Sequence, residues 1–160
     1  MIQAVRVLDT SSLIQIKTLV RIDRQWDLFQ HLQAMVDQAE LAMPRQVIKE
    51  VGEVAHPDAP GVWARGMRDR LQHTLDVDPI YLKQVMQAAP KIIEANQQHD
   101  VADPYVVALA LELTAAGLVA VVVTNDLVDH LPQKIALSTA CDRLKVPHIS
   151  CEEFLKQIGF

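Results

Sequence analysis

Two aspartates of the sequence lie just after apolar segments that have the pattern of buried strands. Asp9 comes after residues 5–8, and Asp126 comes after the β-branched run 118–123 and two polar residues. In a parallel sheet, the carboxyl ends of the strands lie at one edge, and α/β proteins bind their ligands beyond that edge. Carboxylates gathered there would provide oxygen ligands of the kind that Mg²⁺ and Mn²⁺ prefer.

Two further acids could join the same edge. Asp103 opens the helix immediately before the run 118–123, and in a right-handed crossover such a helix begins near the carboxyl end of its strand. Glu50 follows Val47 by three residues and precedes Val54 by four, on the predicted apolar stripe of its helix, where an unpaired carboxylate is costly. The acids that we expect to converge are Asp9, Glu50, Asp103 and Asp126, with Asp100 as a possible addition.

A divalent cation would relieve the repulsion among four converging carboxylates. Without a cation, the like charges would raise one another's pKa values. Mg²⁺ and Mn²⁺ suit a site made only of oxygen ligands, and they can activate water and stabilise charge on a phosphodiester as a bond breaks. The small polar residues that could orient the ligands or a phosphate oxygen are Ser11, Thr124 and Asn125.

Each of the four acids also has a purely structural explanation. Asp9 and Asp103 stand before helices and are typical N-cap residues, and Asp126 could serve a turn. The possible ion-pair partners of Glu50 are Arg45 and Arg68. Capping and metal binding are compatible roles for one carboxylate. The predicted convergence of all four acids is nevertheless a poor match for four unrelated caps.

The elements that would position these acids alternate between short apolar strands and helices. The predicted strands are residues 5–8, 41–43, 75–77, 118–123 and 146–149. The predicted helices are residues 11–22, 26–40, 45–54, 62–71, 79–96 with a kink at Pro90, 103–116, 138–145 and 151–158. This alternation predicts a three-layer α/β/α sandwich with a short, mainly parallel central sheet. A length of 160 residues fits one domain over residues 1–160.

The composition excludes several classes of function. The net charge of −5 argues against a protein that coats nucleic acid through a broad basic surface, but it allows an acidic enzyme that uses cations. The longest apolar run, residues 115–123, is too short to span a membrane, and no signal peptide is recognisable, so we expect a cytoplasmic protein. Cys141 and Cys151 lack metal-ligand spacing, and the six histidines form no pair typical of zinc sites.

Other conspicuous residues have ordinary explanations. The aromatic residues predicted to lie in the core are Trp26, Phe29 and Trp63. The basic residues predicted on solvated faces are Arg65, Arg68 and Arg70 in one group and Lys134, Arg143 and Lys145 in another. His99 is expected to be a loop residue and not a ligand.

The order and spacing of the acidic motifs resemble those of a PIN domain, the fold of VapC-type toxin ribonucleases. The matching motifs are Val-Leu-Asp9-Thr-Ser-Ser, Glu50 in an early helix, Ala102-Asp103 before an Ala/Leu-rich helix, and Val-Val-Thr124-Asn125-Asp126 at a strand end. The resemblance covers essentially the whole chain. The segment KIALSTACDRLKVPHISCEEFL also resembles the C-terminal part of a bacterial PIN subfamily of mostly unassigned function.

The resemblance implies a metal-dependent endoribonuclease that is the toxin half of a toxin–antitoxin pair. In that family the acids at the four matching positions, here Asp9, Glu50, Asp103 and Asp126, bind Mg²⁺ or Mn²⁺ and support cleavage of single-stranded RNA. A homodimer and an antitoxin that occludes the site are also implied. The chain departs from the pattern after Asp126, where it reads Leu-Val-Asp129-His, and Asp129 could replace or supplement a ligand.

Two other kinds of function stay open. A non-catalytic PIN-like module would bind RNA or a partner protein with the same fold. Another acidic α/β enzyme, such as a haloacid-dehalogenase-like phosphatase, would need a second aspartate two residues after the first, where this chain has Ser11. A response-regulator receiver is disfavoured because its acidic pair near the first strand is absent.

Overall fold

The computed structural model describes residues 3–97 and 100–160, so the expectation for His99 lies outside the described residues. The strands are β1 (Ala4–Leu8), β2 (Leu41–Ala42), β3 (Val119–Val123) and β4 (His148–Ile149). The helices are α1 (Thr10–Leu19), α2 (Ile22–Asp37), α3 (Arg45–Gly52), α4 (Ala59–Met67), α5 (Pro79–Ala88), α6 (Asp103–Ala115), α7 (Leu137–Arg143) and α8 (Cys151–Gln157).

The strands form one parallel sheet in the order β2-β1-β3-β4. In its centre β1 and β3 pair along their whole length, from Ala4 opposite Val119 to Leu8 opposite Val123. The backbone N–H of Asp9 donates to the carbonyl oxygen of Val123 at 3.3 Å. The chains leaving β1 and β3 therefore start side by side at the same edge of the sheet.

Helices pack around this sheet in two groups. Helix α6 packs on β1 and β3 and contacts α5 and α7, whereas α1 contacts α2, α3, α4 and α8. Residues 106–110 of α6 are all fully buried, because this helix lies between the sheet and other helices. The three-layer α/β/α class with a parallel sheet, predicted from the alternation of elements, is confirmed.

The buried apolar residues form one hydrophobic cluster that includes residues of the sheet and of helices from both groups. Helix α6 ends as predicted before Gly117, whose φ of 89° is the left-handed conformation that glycine adopts readily after a helix. None of the helices in the described part of the chain is long and apolar enough to cross a membrane.

Some predicted elements were wrong in kind or extent. Residues 75–77 form no strand; the carbonyl oxygen of Leu75 accepts the N–H of Arg45 at 2.9 Å, which places this segment beside the start of α3. The helix predicted over residues 79–96 ends at Ala88, and a 3₁₀ turn, Pro90–Ile92, follows it. Proline lacks the N–H that would continue the helical hydrogen bonds.

The prediction that Trp26 lies in the core was also wrong. The buried residues of α2 are Leu28, Leu32, Met35 and Val36, and at 100° per residue Trp26 points away from that stripe. Its side chain is 72% exposed. Trp63 is buried as predicted, and the half-buried ring of Phe29 stacks on it with 5.9 Å between centroids.

The basic residues around α4 lie on a solvated face, as predicted. Arg65 is exposed, and the guanidinium groups of Arg68 and Arg70 pair with Glu53 and Asp37, each at 2.7 Å. Exposed ion pairs of this kind contribute little to stability.

Candidate functional site

An open cleft of about 460 Å³ lies at the carboxyl edge of the sheet. It is lined by the four acids that the sequence singled out: Asp9, Glu50, Asp103 and Asp126. They come from four different places, namely the end of β1, helix α3, the start of α6 and the loop after β3. The parallel sheet therefore brings together acids that are up to 117 positions apart in the chain.

Asp9 lies at the base of the cleft and is only 1% exposed. Its Oδ1 accepts the backbone N–H of Ser12 at 2.8 Å, which makes Asp9 the N-cap of α1. The hydroxyl group of Ser11 lies within 2.9 Å of both carboxylate oxygens, and the hydroxyl of Thr124 donates to Oδ2. Burial raises the pKa of Asp9 above 3.8, although these hydrogen bonds oppose the shift.

Glu50 reaches the rim of the cleft from α3. Its Oε1 accepts the backbone N–H of Ala102 at 2.7 Å, and its Oε2 accepts the hydroxyl of Thr10. The side chain is exposed, so the prediction that Glu50 faces inward was wrong. Helix α3 ends at Gly52, and Val54, which was to complete the apolar stripe, lies outside the helix and is 45% exposed.

The two arginines considered as ion-pair partners of Glu50 form ion pairs with other carboxylates. Arg45 pairs with Asp76 at 2.8 Å, and Arg68 pairs with Glu53. The contacts of Glu50 are therefore with an N–H group at the start of α6 and a hydroxyl at the start of α1. Both contacts tie α3 to the edge of the sheet where the other acids lie.

Asp103 stands in the first turn of α6 and is 19% exposed. Its Oδ2 accepts a hydrogen bond from Nζ of Lys134 at 3.1 Å. Burial raises the pKa of Asp103 to about 6; Lys134 opposes the rise, and the charges of Asp126 and Asp9 add to it. A carboxyl group with this pKa can exchange a proton near neutral pH.

Lys134 was predicted on a solvated face, and that prediction was wrong. Its side chain is 28% exposed and lines the cleft. Burial disfavours the charged ammonium, but the carboxylates of Asp103, Asp126 and Glu94 outweigh burial and raise the pKa of Lys134 above 10.5. Lys134 therefore adds a positive charge to the acidic cleft. Arg143 and Lys145, predicted on the same face, are exposed.

Asp126 holds the loop after β3 against the start of α7. Its Oδ2 accepts the backbone N–H of Leu137 at 3.0 Å, and its own N–H donates to the hydroxyl of Thr124 at 3.0 Å. Asn125 holds the same loop against the start of α8, because its Oδ1 accepts the N–H of Cys151 at 2.9 Å. The loop after β3 thus joins two helix N-termini.

The three small polar residues predicted beside the acids form one hydrogen-bonded chain. Thr124 is fully buried and links Asp9 to the backbone of Asp126. The hydroxyl of Ser11 donates to Asp9 and accepts the backbone N–H of Asn125 at 3.0 Å. This chain fixes the orientation of the Asp9 carboxylate and connects the end of β1 to the end of β3.

Three of the acids thus bond to N–H groups at helix N-termini. Asp9 accepts an N–H group at the start of α1, Glu50 accepts one at the start of α6, and Asp126 accepts one at the start of α7. These contacts are favourable because a helix N-terminus carries partial positive charge. They also turn the carboxylate oxygens toward the protein, and within residues 3–97 and 100–160 no group of three or more His, Cys, Asp or Glu side chains is arranged to hold a metal ion.

Two acids proposed as additional ligands lie elsewhere. Asp100 lines a neighbouring cleft of about 330 Å³ beside Tyr105 and does not line the acidic cleft. Oδ1 of Asp129 accepts the N–H of Ala136 and the hydroxyl of Thr139, both at 2.7 Å. Asp129 therefore positions the start of α7 and supplements no ligand in the cleft.

Sequence reasoning missed two polar residues of the cleft, Lys134 and Thr10. The hydroxyl of Thr10 donates to Glu50, a contact between residues 40 positions apart that no local pattern indicates. Lys134 lies in the irregular segment between β3 and α7, where no periodicity shows which way a side chain points. Its position four residues after His130, with which it forms a backbone bridge, carries no recognisable signal either.

The two cysteines take no part in the cleft. Both are buried, and burial raises the pKa of each thiol to about 12. Neither thiol is available as a nucleophile or a thiolate ligand at neutral pH.

Comparison with known proteins assigns the chain to a family but gives no activity. None of the curated proteins matches it. A family described as a domain of unknown function matches residues 7–160, which include all four acids of the cleft and Lys134. The chain therefore belongs to this family, DUF4411.

Proposed function

We propose that this protein is a divalent-metal-dependent endoribonuclease that hydrolyses RNA phosphodiester bonds, and that it acts in the cytoplasm as the toxin component of a toxin–antitoxin pair. The observation that carries the proposal is the shared cleft of Asp9, Glu50, Asp103 and Asp126 at the ligand-binding edge of a parallel sheet. The order of these acids along the chain also resembles that of PIN-domain ribonucleases. The homodimer and the inhibitory antitoxin belong to the proposal through that resemblance alone.

The donor chemistry of the cleft fits Mg²⁺ or Mn²⁺. Its acids and hydroxyl groups are oxygen donors, which these ions prefer. Hydrogen bonds within the described residues engage Oδ2 of Asp103 and Oδ2 of Asp126, and Oδ1 of each side chain faces no such donor. Asp9, Asp103 and Asp126 would hold the ion, with Glu50 at the rim, if the acids release part of their present hydrogen bonds.

A bound divalent ion would supply positive charge that draws the phosphate of RNA to an acidic surface and stabilises the charge that develops during cleavage. The chain itself has a net charge of −5 and cannot provide this attraction through its overall field. This requirement is why we propose a metal-dependent enzyme over one that uses side chains alone.

The side chains around the ion would have distinct roles. Ser11 and Thr124 hold the Asp9 carboxylate in one orientation, and Asn125 fixes the loop that carries Asp126. Asp103 would bind the ion through Oδ1, because its Oδ2 accepts the hydrogen bond from Lys134. An extended single strand of RNA would enter this open cleft more readily than it would enter a closed pocket.

The test is cleavage of a fluorescently labelled single-stranded RNA by the purified protein with Mg²⁺, with Mn²⁺ and with EDTA. Wild type should cleave only with a divalent ion, and Asp103→Asn and Asp126→Asn should each lose about 100-fold in rate, because each removes a carboxylate that would hold the ion. Asp69→Asn, which removes an exposed carboxylate outside the cleft, should keep the wild-type rate. Equal rates for wild type and both cleft variants would refute the proposal.

A second candidate, a non-catalytic PIN-like binding module, is favoured by one observation. The oxygens of Asp9, Glu50 and Asp126 already serve N–H groups at helix N-termini, so the acids have a structural task without any ion. A folded protein that neither binds Mn²⁺ nor cleaves RNA would support this candidate. The phosphatase alternative is weaker, because Ser11 stands where its second aspartate is required and donates to Asp9.

A further inference from the structure

The acidic cleft contains a cation that belongs to the chain itself, the ammonium group of Lys134. Nζ lies 3.1 Å from Oδ2 of Asp103, and both side chains are mostly shielded from solvent. Among the described residues that line the cleft, Lys134 is the one basic side chain, and four carboxylates line the same cleft. Its charge therefore compensates part of the negative charge that a divalent ion would otherwise compensate.

The backbone around Lys134 holds the side chain at this place. The N–H of His130 donates to the carbonyl oxygen of Lys134 at 2.8 Å, and the N–H of Lys134 donates back to His130 at 3.1 Å. The next residue, Ile135, is 1% exposed and donates its N–H to the carbonyl oxygen of Lys91 at 2.9 Å. The backbone on both sides of Lys134 is therefore fixed, by the hydrogen-bonded turn from His130 and by the buried Ile135. This fixed backbone distinguishes Lys134 from an exposed lysine that contacts a carboxylate by chance.

We propose that Lys134 is the built-in counter-ion of the acidic cleft and competes with a divalent cation for Asp103 and the neighbouring carboxylates. The inference rests on the proposed function, because it names the residue that sets cation affinity at the same site. In the ion-free protein, Lys134 keeps the cluster of acids partly neutralised. A divalent ion that binds Oδ1 of Asp103 meets the positive charge of Lys134 at Oδ2 of the same carboxylate.

The size of this competition follows from Coulomb's law. A divalent ion and a unit charge about 5 Å apart repel each other enough to weaken binding by about tenfold, even with the dielectric constant of bulk water. At low ionic strength the partly buried cleft screens the charges less than bulk water does, so the effect should reach about this size. Removing the ammonium group should therefore tighten the binding of a divalent ion by about tenfold.

The experiment measures Mn²⁺ binding to the purified protein without RNA, from the electron paramagnetic resonance signal of free Mn²⁺. Lys134→Met keeps the aliphatic chain and removes the charge, and it should bind Mn²⁺ about tenfold more tightly than wild type. Lys134→Gln should behave like Lys134→Met, and Lys134→Arg should stay close to wild type. Two neutral variants protect the test against a folding defect in one of them.

Lys156→Met is the matched control. Lys156 is exposed in the last turn of α8 and does not line the acidic cleft, and its replacement removes the same unit of charge. Its Mn²⁺ affinity should stay within about twofold of wild type, because solvent and salt screen distant charges. Equal affinity in wild type and both neutral Lys134 variants, or the same gain in Lys156→Met, would overturn the proposal.

RNA cleavage by the same samples separates this inference from the proposed function. Metal-dependent cleavage by wild type, together with unchanged Mn²⁺ affinity in Lys134→Met, would refute the counter-ion role and leave the ribonuclease in place. Tighter Mn²⁺ binding in Lys134→Met without cleavage by any variant would support the counter-ion role and contradict the ribonuclease. Absence of Mn²⁺ binding in every variant would overturn both.

Discussion

Replacing Asp103 with asparagine should stabilise the ion-free protein at neutral and alkaline pH. Burial raises the pKa of Asp103 from 3.8 to about 6 in spite of the nearby Lys134. Because the folded protein holds this proton more tightly than the unfolded chain, the stabilising contribution of the protonated form is complete below pH 3.8. It is lost as the pH rises through about 6.

The expected size follows from the two pKa values. A gap of about two pH units corresponds to about 3 kcal/mol in the free energy of unfolding. Asparagine has the shape of the protonated acid and never ionises, so Asp103→Asn should exceed wild type by up to about 3 kcal/mol at pH 8 and match it below about pH 4. Asp103 is only 19% exposed, so solvent screening removes a small part of this difference.

Urea unfolding followed by far-UV circular dichroism, in EDTA and at several values between pH 4 and pH 8, measures this difference. Asp69→Asn controls for the loss of one negative charge at an exposed position. The reasoning would be refuted if Asp103→Asn were less stable than wild type at pH 8. That result would mean that the ion pair with Lys134 outweighs the burial of the carboxylate.

Three further substitutions test the packing of α4 and the hydrogen bonds at the start of α7. A Cβ atom on Gly61 would lie 2.0 Å from the carbonyl oxygen of Val51, so Gly61→Ala should lose about 1–3 kcal/mol or more. Gly66→Ala, whose Cβ meets nothing within 4 Å, should instead raise the free energy of unfolding by about 0.5–1 kcal/mol. Equal melting temperatures of the two alanine variants would contradict the close packing at Gly61. Asp129→Asn should melt below wild type at neutral pH, because hydrogen bonds, first that from the N–H of Ala136, lower the pKa of Asp129. The stabilisation by the ionised Asp129 carboxylate is present above pH 3.8 and is lost in acid, so the two melting temperatures should converge in acid. A constant difference from pH 7 to pH 2 would exclude this stabilisation.

The positions of Asp9, Asp103 and Asp126 could be predicted because they depend on topology alone. A residue that follows a strand of a parallel sheet must lie at its carboxyl edge, and so must the start of the helix before that strand. The register of β1 with β3 then makes Asp9 and Thr124 neighbours. No side-chain detail enters this reasoning.

Glu50 and Lys134 show where such reasoning fails. Glu50 was placed in the cleft through an apolar stripe that ends earlier than expected, since α3 stops at Gly52. It reaches the acids as an exposed side chain that bonds to Ala102, a contact between residues 52 positions apart. The direction of Lys134 depends on the bond between Ile135 and Lys91, and local pattern carries no information about a contact of that range.

The structural and functional explanations of the acids agree for most of the cleft, and they separate at Asp103. A carboxylate at a helix N-terminus is stabilised by the N–H groups it accepts, so capping is sufficient to explain Asp9, Glu50 and Asp126. Asp103 receives a hydrogen bond from Lys134 and still has a pKa of about 6, so its ionisation costs the folded protein free energy that it does not cost the unfolded chain. A purely structural cluster would gain stability by replacing it with a neutral residue. Its presence beside three other acids is what favours a site built to receive a cation over a set of helix caps.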